Sequence, residues 1–179
     1  MAQVPPAVTL SEAQAYVRIE TGEEEAVVAA LVASTTALCE QFTGRWLVER
    51  DFDLMMPAAA EWRRLAVTPV RSIAGASSVA LDGSAAVLAA SDYAIDIDAD
   101  GDGWVRLNRL VGSSSQGAGR VRVTGRAGMA TGESDVPEPL RQGILRLVAH
   151  LFTARDGSGG EPPSAVTALW RPYRRMRMA

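Results

Sequence analysis

Val28, Leu31, Leu38 and Phe42, with Thr35 between them, step along the chain by threes and fours and once by seven. That spacing predicts one apolar face of a helix. Thr21 followed by Glu24 is a capping-box start for it, Glu23, Glu24 and Glu25 place negative charge at its positive end, and Gly44 is a left-handed stop. A shorter helix precedes it, opened by Thr9 with Glu12 three residues on, with Val8 and Ala13 as a hydrophobic staple. Together the two helices are expected over about residues 9–45. A third is expected over about 136–155, where Leu140, Ile144, Leu147, Val148 and Leu151 form the stripe. Asp135 with Glu138 reads as its cap pair and Pro137 as a first-turn proline.

Between these helices the period changes from 3.6 to 2. Trp46, Val48, Phe52, Leu54 and Met56 begin an alternating pattern; Trp62, Leu65 and Val67 form a short run before Pro69; Val70 and Ile73 follow it. Val79 to Leu81, then Asp82-Gly83, then Ala85 to Leu88, reads as a hairpin. Tyr93, Ile95 and Ile97 pair in the same way with Trp104, Val105 and Leu107 across an aspartate-rich loop, and Arg120 to Thr124 supply another strand after the Gly112–Gly117 segment. The pattern therefore predicts an α+β fold. It combines a helical bundle (two N-terminal helices and one C-terminal helix), an inserted small antiparallel β-sheet over about 46–132, and an extended C-terminal tail. Residues 1–156 form one domain in this reading, and residues 157–179 a flexible linker and tail, introduced by Gly157-Ser158-Gly159-Gly160 and stiffened by Pro162-Pro163.

At 179 residues with 47% hydrophobic and 22% charged positions, the chain is long enough to bury a core and is not disordered by composition. All 18 basic residues are arginine, and the formal net charge is -3. Four of those arginines lie in residues 170–179 with no acid, which leaves 14 against 21 acids in the rest, a net of -7. An acidic body with a basic end suits a part that docks on something acidic, not a general nucleic-acid binder, whose basic surface would be broader. Cys39 is the single cysteine, so no intramolecular disulfide forms, and its apolar neighbours predict a buried structural thiol. MAQVPPAVTL lacks a basic region followed by an apolar core, so no secretory signal is expected. The uncharged run between Glu25 and Glu40 is shorter than the ~20 residues of a membrane span.

Candidate chemistry is sparse. The run Asp96-Ile97-Asp98-Ala99-Asp100-Gly101-Asp102-Gly103 opens like a calcium loop, but the twelfth position is Leu107 or Arg109 depending on the starting aspartate, and neither ligates. It reads as a solvated hairpin turn. His150, the sole histidine, has no placed nucleophile beside it and reads as a partly buried helix residue. One histidine and one cysteine are too few for a zinc site, and the glycine-rich pieces lack the lysine of a phosphate loop. No catalytic residue, metal or cofactor is expected. The stretch from Ala165 to Met178 stands out because it joins Trp170 and Tyr173 to four arginines, the residue types that dominate binding hot spots.

The opening TLSEAQAYVRI, an acidic turn, an alanine-rich helix and the closing run Glu40-Gln41-Phe42-Thr43-Gly44-Arg45-Trp46 resemble the tailed-phage head-tail connector family, also called adaptor proteins, with relatives in prophages and gene transfer agents. The resemblance implies a structural protein and not an enzyme. It implies a homo-oligomeric ring, commonly of about twelve subunits, beneath the portal protein. Such a ring extends the DNA channel, lets DNA pass without specific binding, and receives stopper or tail proteins. It is assembled in the bacterial cytoplasm, sits at the head-tail interface of a virion or phage-like particle, and involves no membrane. By the same resemblance the helical part supplies subunit contacts, and the C-terminal segment, with Leu169, Trp170, Arg171, Tyr173, Arg174 and Arg175, binds the portal. A tail free in the subunit would be ordered on docking; the alternative is a tail that folds back on its own domain, with its arginines offsetting acids of the body. The strand-rich insertion from about Trp46 to Gly132 departs from the simplest, all-helical members. Two other classes fit parts of the sequence: a small-ligand or carbohydrate-binding β module using Trp62 and Trp104, and a small hydrolase around His150.

Overall fold

Each predicted helix forms, with its ends set by local chemistry. The computed structural model describes residues 4–19, 24–80, 82–108, 119–154, 161 and 163–175. Helix α1 spans Leu10–Val17. Thr9 caps it, its hydroxyl accepting from Glu12 N at 3.1 Å, and Arg18 ends it in the left-handed region at φ 59°. The reciprocal half of the capping box is not made. The Glu12 carboxylate accepts instead from Arg141 Nη2, at 2.8 and 2.7 Å, and so ties α1 to α3. Helix α2 spans Glu25–Thr43, with Gly44 as its stop at φ 69°. Thr21, the expected cap, lies outside the described residues; Glu24 holds the N-cap position without a side-chain cap bond.

The buried face of α2 is rotated from the predicted stripe. Val28, Val32, Thr35, Thr36, Cys39, Glu40 and Thr43 are buried, whereas Leu38 is 46% exposed. Threonines can line this face because their hydroxyls bond back to the helix: Thr35 Oγ1 donates to Leu31 O at 2.7 Å and Thr43 Oγ1 to Cys39 O at 2.8 Å. Glu40 Oε1 accepts from Leu47 N at 2.8 Å, so a carboxylate expected to end the apolar run is part of the buried face. The helix thus begins at Glu25 and runs past Glu40, and at 19 residues with mean hydropathy 1.4 it is long and apolar enough to cross a membrane by length and composition alone. Its residues Val28, Val32 and Cys39 belong to the buried core.

Helix α3 spans Glu138–Thr153 and starts later than its predicted cap. Pro137 forces Val136 into an extended conformation (ψ 131°), so the helix cannot begin before it. Pro137 becomes the N-cap, and Asp135 sits in a 3₁₀ turn, Glu133–Asp135, where its carboxylate accepts from Thr131. The expected extended tail is also corrected. Ser164–Trp170 form a fourth helix, α4, followed by a 3₁₀ turn at Arg171–Tyr173. Gly157–Gly160 and Pro162, read as hinge and stiffener, lie outside the described residues.

The chain divides into two compact units. One comprises Met1–Val48 with Met129–Ala179 and holds the four α-helices found among the described residues; its core joins Ala7, Val8, Ala13, Val28, Val32, Cys39, Leu140, Ile144, Leu147, Val148, Val166 and Trp170. The other, Glu49–Gly128, lies within the range predicted for the strands. Among the described residues it contains two antiparallel sheets. The first has the order β1 (Arg50–Pro57), β7 (Arg120–Ala127), β3 (Val70–Val79), β4 (Ala85–Val87). The second has the order β2 (Arg63–Arg64), β6 (Gly103–Leu107), β5 (Tyr93–Ile97). The two runs read around Val70 and Val79 are one ten-residue strand, β3, whose period is broken by register shifts at Val70/Ser72 and Ile73/Gly75. The Asp82-Gly83 hairpin forms as read, with Val79 opposite Ala85 and the Asp82 carboxylate accepting from Ser84 N and Oγ at 2.9 and 2.6 Å. Those bonds hold its pKa below the ordinary carboxylate value.

Candidate functional site

The aromatic and arginine segment singled out from the sequence is built into the helical unit. Val166 and Trp170, four residues apart on α4, are 1% and 3% exposed. Gly143 on α3 makes room for the indole: a Cβ placed there would lie 2.1 Å from Trp170 Nε1 and 2.7 Å from Cδ1. Any side chain at this position would evict the ring. Trp170 Nε1 donates to Leu140 O at 3.2 Å, and the ring tilts against Phe42 of α2 at 5.9 Å between centroids. Leu169 and Tyr173 are half-buried against the same core.

The turn after α4 then brings the arginines out. Arg171 and Arg174 are exposed and Arg175 is half-buried. The Arg174 guanidinium lies 5.7 Å from the Phe42 ring centroid, and Arg175 N donates to Thr43 O at 2.9 Å, anchoring the segment to the last turn of α2. Of the six residues expected to bind the portal, the structure therefore separates three apolar ones, turned toward their own core, from two exposed arginines, Arg171 and Arg174, with Arg175 half-buried beside them. Arg177 lies outside the described residues. The sequence signal for this packing was the pair Gly143 and Trp170, a glycine inside a helical stripe and a tryptophan needing a partner for its N–H.

The other candidates have ordinary surroundings. Asp98 Oδ1 accepts from Asp100 N at 3.0 Å and Asp102 N at 2.9 Å, while Oδ2 accepts from Trp104 Nε1 at 2.9 Å. Its lone pairs serve the hairpin turn itself. No group of three or more metal-ligating side chains occurs among the described residues. His150 is half-buried in the last turn of α3. Cys39 is fully buried, and burial together with the neighbouring Glu40 charge pushes its thiol pKa well up, so it stays protonated and unreactive at neutral pH. Trp62 is 41% exposed, with the Arg106 guanidinium 4.9 Å from its ring centroid.

The architecture is thus a helical unit interrupted by a two-sheet antiparallel insertion. That whole arrangement recurs in gene transfer agent particles. In the neck of the empty particle, computed with C6 symmetry, one chain matches 100% of this chain and 95% of its own length, with a TM-score of 0.80 and 23% identity. In the neck of the native particle, computed with C12 symmetry, the match covers 100% and 95% with a TM-score of 0.79 and 21% identity. In the native virion it covers 97% and 92% with a TM-score of 0.75 and 22% identity. No family model and no curated protein matches the sequence.

Proposed function

We propose that this chain is a structural head-tail connector (adaptor): a ring-forming subunit beneath the portal that extends the DNA channel and joins capsid to tail in a phage-like particle. The observation that carries the reading is the end-to-end match, 100% of this chain and 95% of the other at a TM-score of 0.80, to a chain of a particle neck. The strand-rich insertion, which departs from the simplest connector pattern, is included in that match. Neck symmetries of C6 and C12 in those particles support a closed cyclic ring, about twelve subunits in all. Residues outside the basic C-terminal stretch, at a net of -7, would form a passage that DNA traverses without sticking. Stopper or tail proteins would take the distal side, and assembly would occur in the bacterial cytoplasm.

Portal docking falls in this reading to Arg171, Arg174 and Arg175, with Leu169, Trp170 and Tyr173 fixing where they stand. The outward side of α2 suits a subunit contact, since Ala26, Val27, Ala30 and Leu38 are exposed there and carry no charge. Removal of the whole C-terminal segment would uncover the helical core and confuse folding with docking. The cleaner test is Arg171→Glu with Arg174→Glu, which leaves Trp170 in place. A folded variant that no longer enters particles is the expected result; unchanged incorporation would remove these arginines from the mechanism.

A further inference from the structure

The last turn of α2 and the turn that follows α4 bring together arginines that lie far apart in sequence. Arg175 N donates to Thr43 O, and a Cβ on Gly44 would lie 3.7 Å from that of Arg175, so Arg45, the next residue along, stands beside the C-terminal segment. Arg171 and Arg174 sit on either side of the 3₁₀ turn, which is closed by the bond from Arg174 N to Arg171 O at 3.1 Å. These two are exposed and Arg45 is half-buried. Among the described residues the guanidiniums of Arg45, Arg171 and Arg174 donate no hydrogen bond and make no ion pair; the contact they do make is Arg174 over Phe42. Acids are missing from the stretches that meet here. Residues 41–48 and 163–175 contain none, and Glu40, next to the first of them, is buried with Oε1 on Leu47 N.

A helix C-terminus attracts cations through its dipole, but this end is closed by other groups. Gly44 N donates to Glu40 O at 2.8 Å, Thr43 Oγ1 donates to Cys39 O at 2.8 Å, and Thr43 O takes the backbone N–H of Arg175. The three guanidinium forks therefore keep their donors unused, in a geometry that matches carboxylates two bonds at a time. Half-buried Phe42 and Tyr173 lie among them as an apolar floor. We propose that Arg45 joins Arg171 and Arg174 in one site for a short acidic segment of the portal protein. A DNA duplex, with a charge every ~1.7 Å, is the poorer occupant: it would meet the acids of the remaining chain, at a net of -7, together with the patch, whereas a short segment meets the patch alone. The proposal rests on the portal-docking reading above, to which it adds a residue from the end of α2 and the chemistry of what is bound.

The chain contains no lysine, so Arg45→Lys, Arg171→Lys and Arg174→Lys each introduce its one side-chain amine. Each full-length variant is assembled into particles beside wild-type chain and treated with a carbodiimide, which joins an amine directly to a carboxylate in contact with it. All three variants should become linked to aspartates or glutamates of one short stretch of the portal, read by mass spectrometry of the joined peptides, with wild-type particles as the blank. In a second arm Arg45→Glu should lower incorporation at least tenfold; Arg45→Gln, which brings no new charge, should lower it less and keeps the arm readable if the glutamate variant does not fold. Portal linkage of Arg171→Lys and Arg174→Lys without Arg45→Lys, linkage only to acids of this chain, or full incorporation of Arg45→Gln and Arg45→Glu would each overturn the proposal. So would retention of wild-type chain on duplex DNA that Arg45→Glu abolishes. Linkage of all three variants to a protein other than the portal would instead overturn the portal reading and leave the acidic-segment chemistry standing.

Discussion

Replacing Gly143 with alanine should destabilise this protein, although helix propensity alone predicts the opposite. In a helix interior alanine is favoured over glycine by about 1 kcal/mol. Against that stands the geometry: the new methyl would sit 2.1 Å from Trp170 Nε1, 2.7 Å from Cδ1 and 2.9 Å from Cε2. The indole must retreat by more than 1 Å to reach ordinary contact near ~3.5 Å. It is 3% exposed and packed against Phe42, so displacement opens the core between α4, α3 and α2. The bond from Nε1 to Leu140 O, 3.2 Å long, breaks as well, leaving a buried donor whose desolvation costs about 1–3 kcal/mol. Overpacking adds about 1–3 kcal/mol. After the propensity gain, the net is a loss of about 1–5 kcal/mol. Urea unfolding followed by circular dichroism measures the global part. Exchange of the Trp170 indole proton measures the local part, because detachment of α4 exposes it first. A Gly143→Ala chain as stable as the parent, with that proton equally protected, would refute the packing argument.

Two further outcomes follow from buried groups. Glu12→Ala removes the acceptor of both Arg141 Nη2 bonds, and with the pair about a quarter exposed it should cost about 1–3 kcal/mol in the same unfolding assay; a loss below about 0.3 kcal/mol would show that the α1–α3 tie is no better than a surface pair. For Cys39 the sign is set by burial, which raises the folded pKa above the unfolded one. Its contribution is complete below the unfolded value, about 8.5, and stability should decline as pH rises past that point, because only the unfolded chain then ionises. Cys39→Val should flatten that decline, and titration with a thiol reagent near pH 8 should show no reaction before unfolding.

What the sequence revealed and what it concealed divide along physical lines. Where a signal was local, it held: the Thr9 cap, the Gly44 stop, the Asp82-Gly83 turn and the Tyr93–Leu107 hairpin all depend on a few neighbouring residues. Where tertiary context decided, it did not. Counting only apolar side chains rotated the α2 stripe onto Leu38, since threonines that bond back to their own helix behave as core residues, and Glu40 is buried because it meets Leu47 N at 2.8 Å. Register shifts hid the length of β3, because a bulge interrupts the period on which strand reading relies. The six residues of the C-terminal candidate were legible as a group but not in their orientations. Sequence alone cannot say that a glycine on α3 is shaped for a tryptophan about one helix further along.

That orientation changes how docking would work on the connector reading. A tail ordered only on binding would lose backbone and side-chain freedom at the moment of contact, roughly 1–2 kcal/mol per residue for the backbone alone. Here Ser164 to Arg175 are already placed by Trp170 in its glycine cradle, by Arg174 over Phe42 and by Arg175 N on Thr43 O. Much of the ordering is completed during folding, so the exposed guanidiniums of Arg171 and Arg174 would meet a partner from fixed positions. Each such contact is modest, because exposed ion pairs contribute about 0–1 kcal/mol each. On that reading, repetition around a ring would supply the strength, since every subunit after the first would bind at high effective concentration. Docking by fixed arginines should therefore weaken steeply with salt while the fold of the helical unit, held by apolar burial, does not.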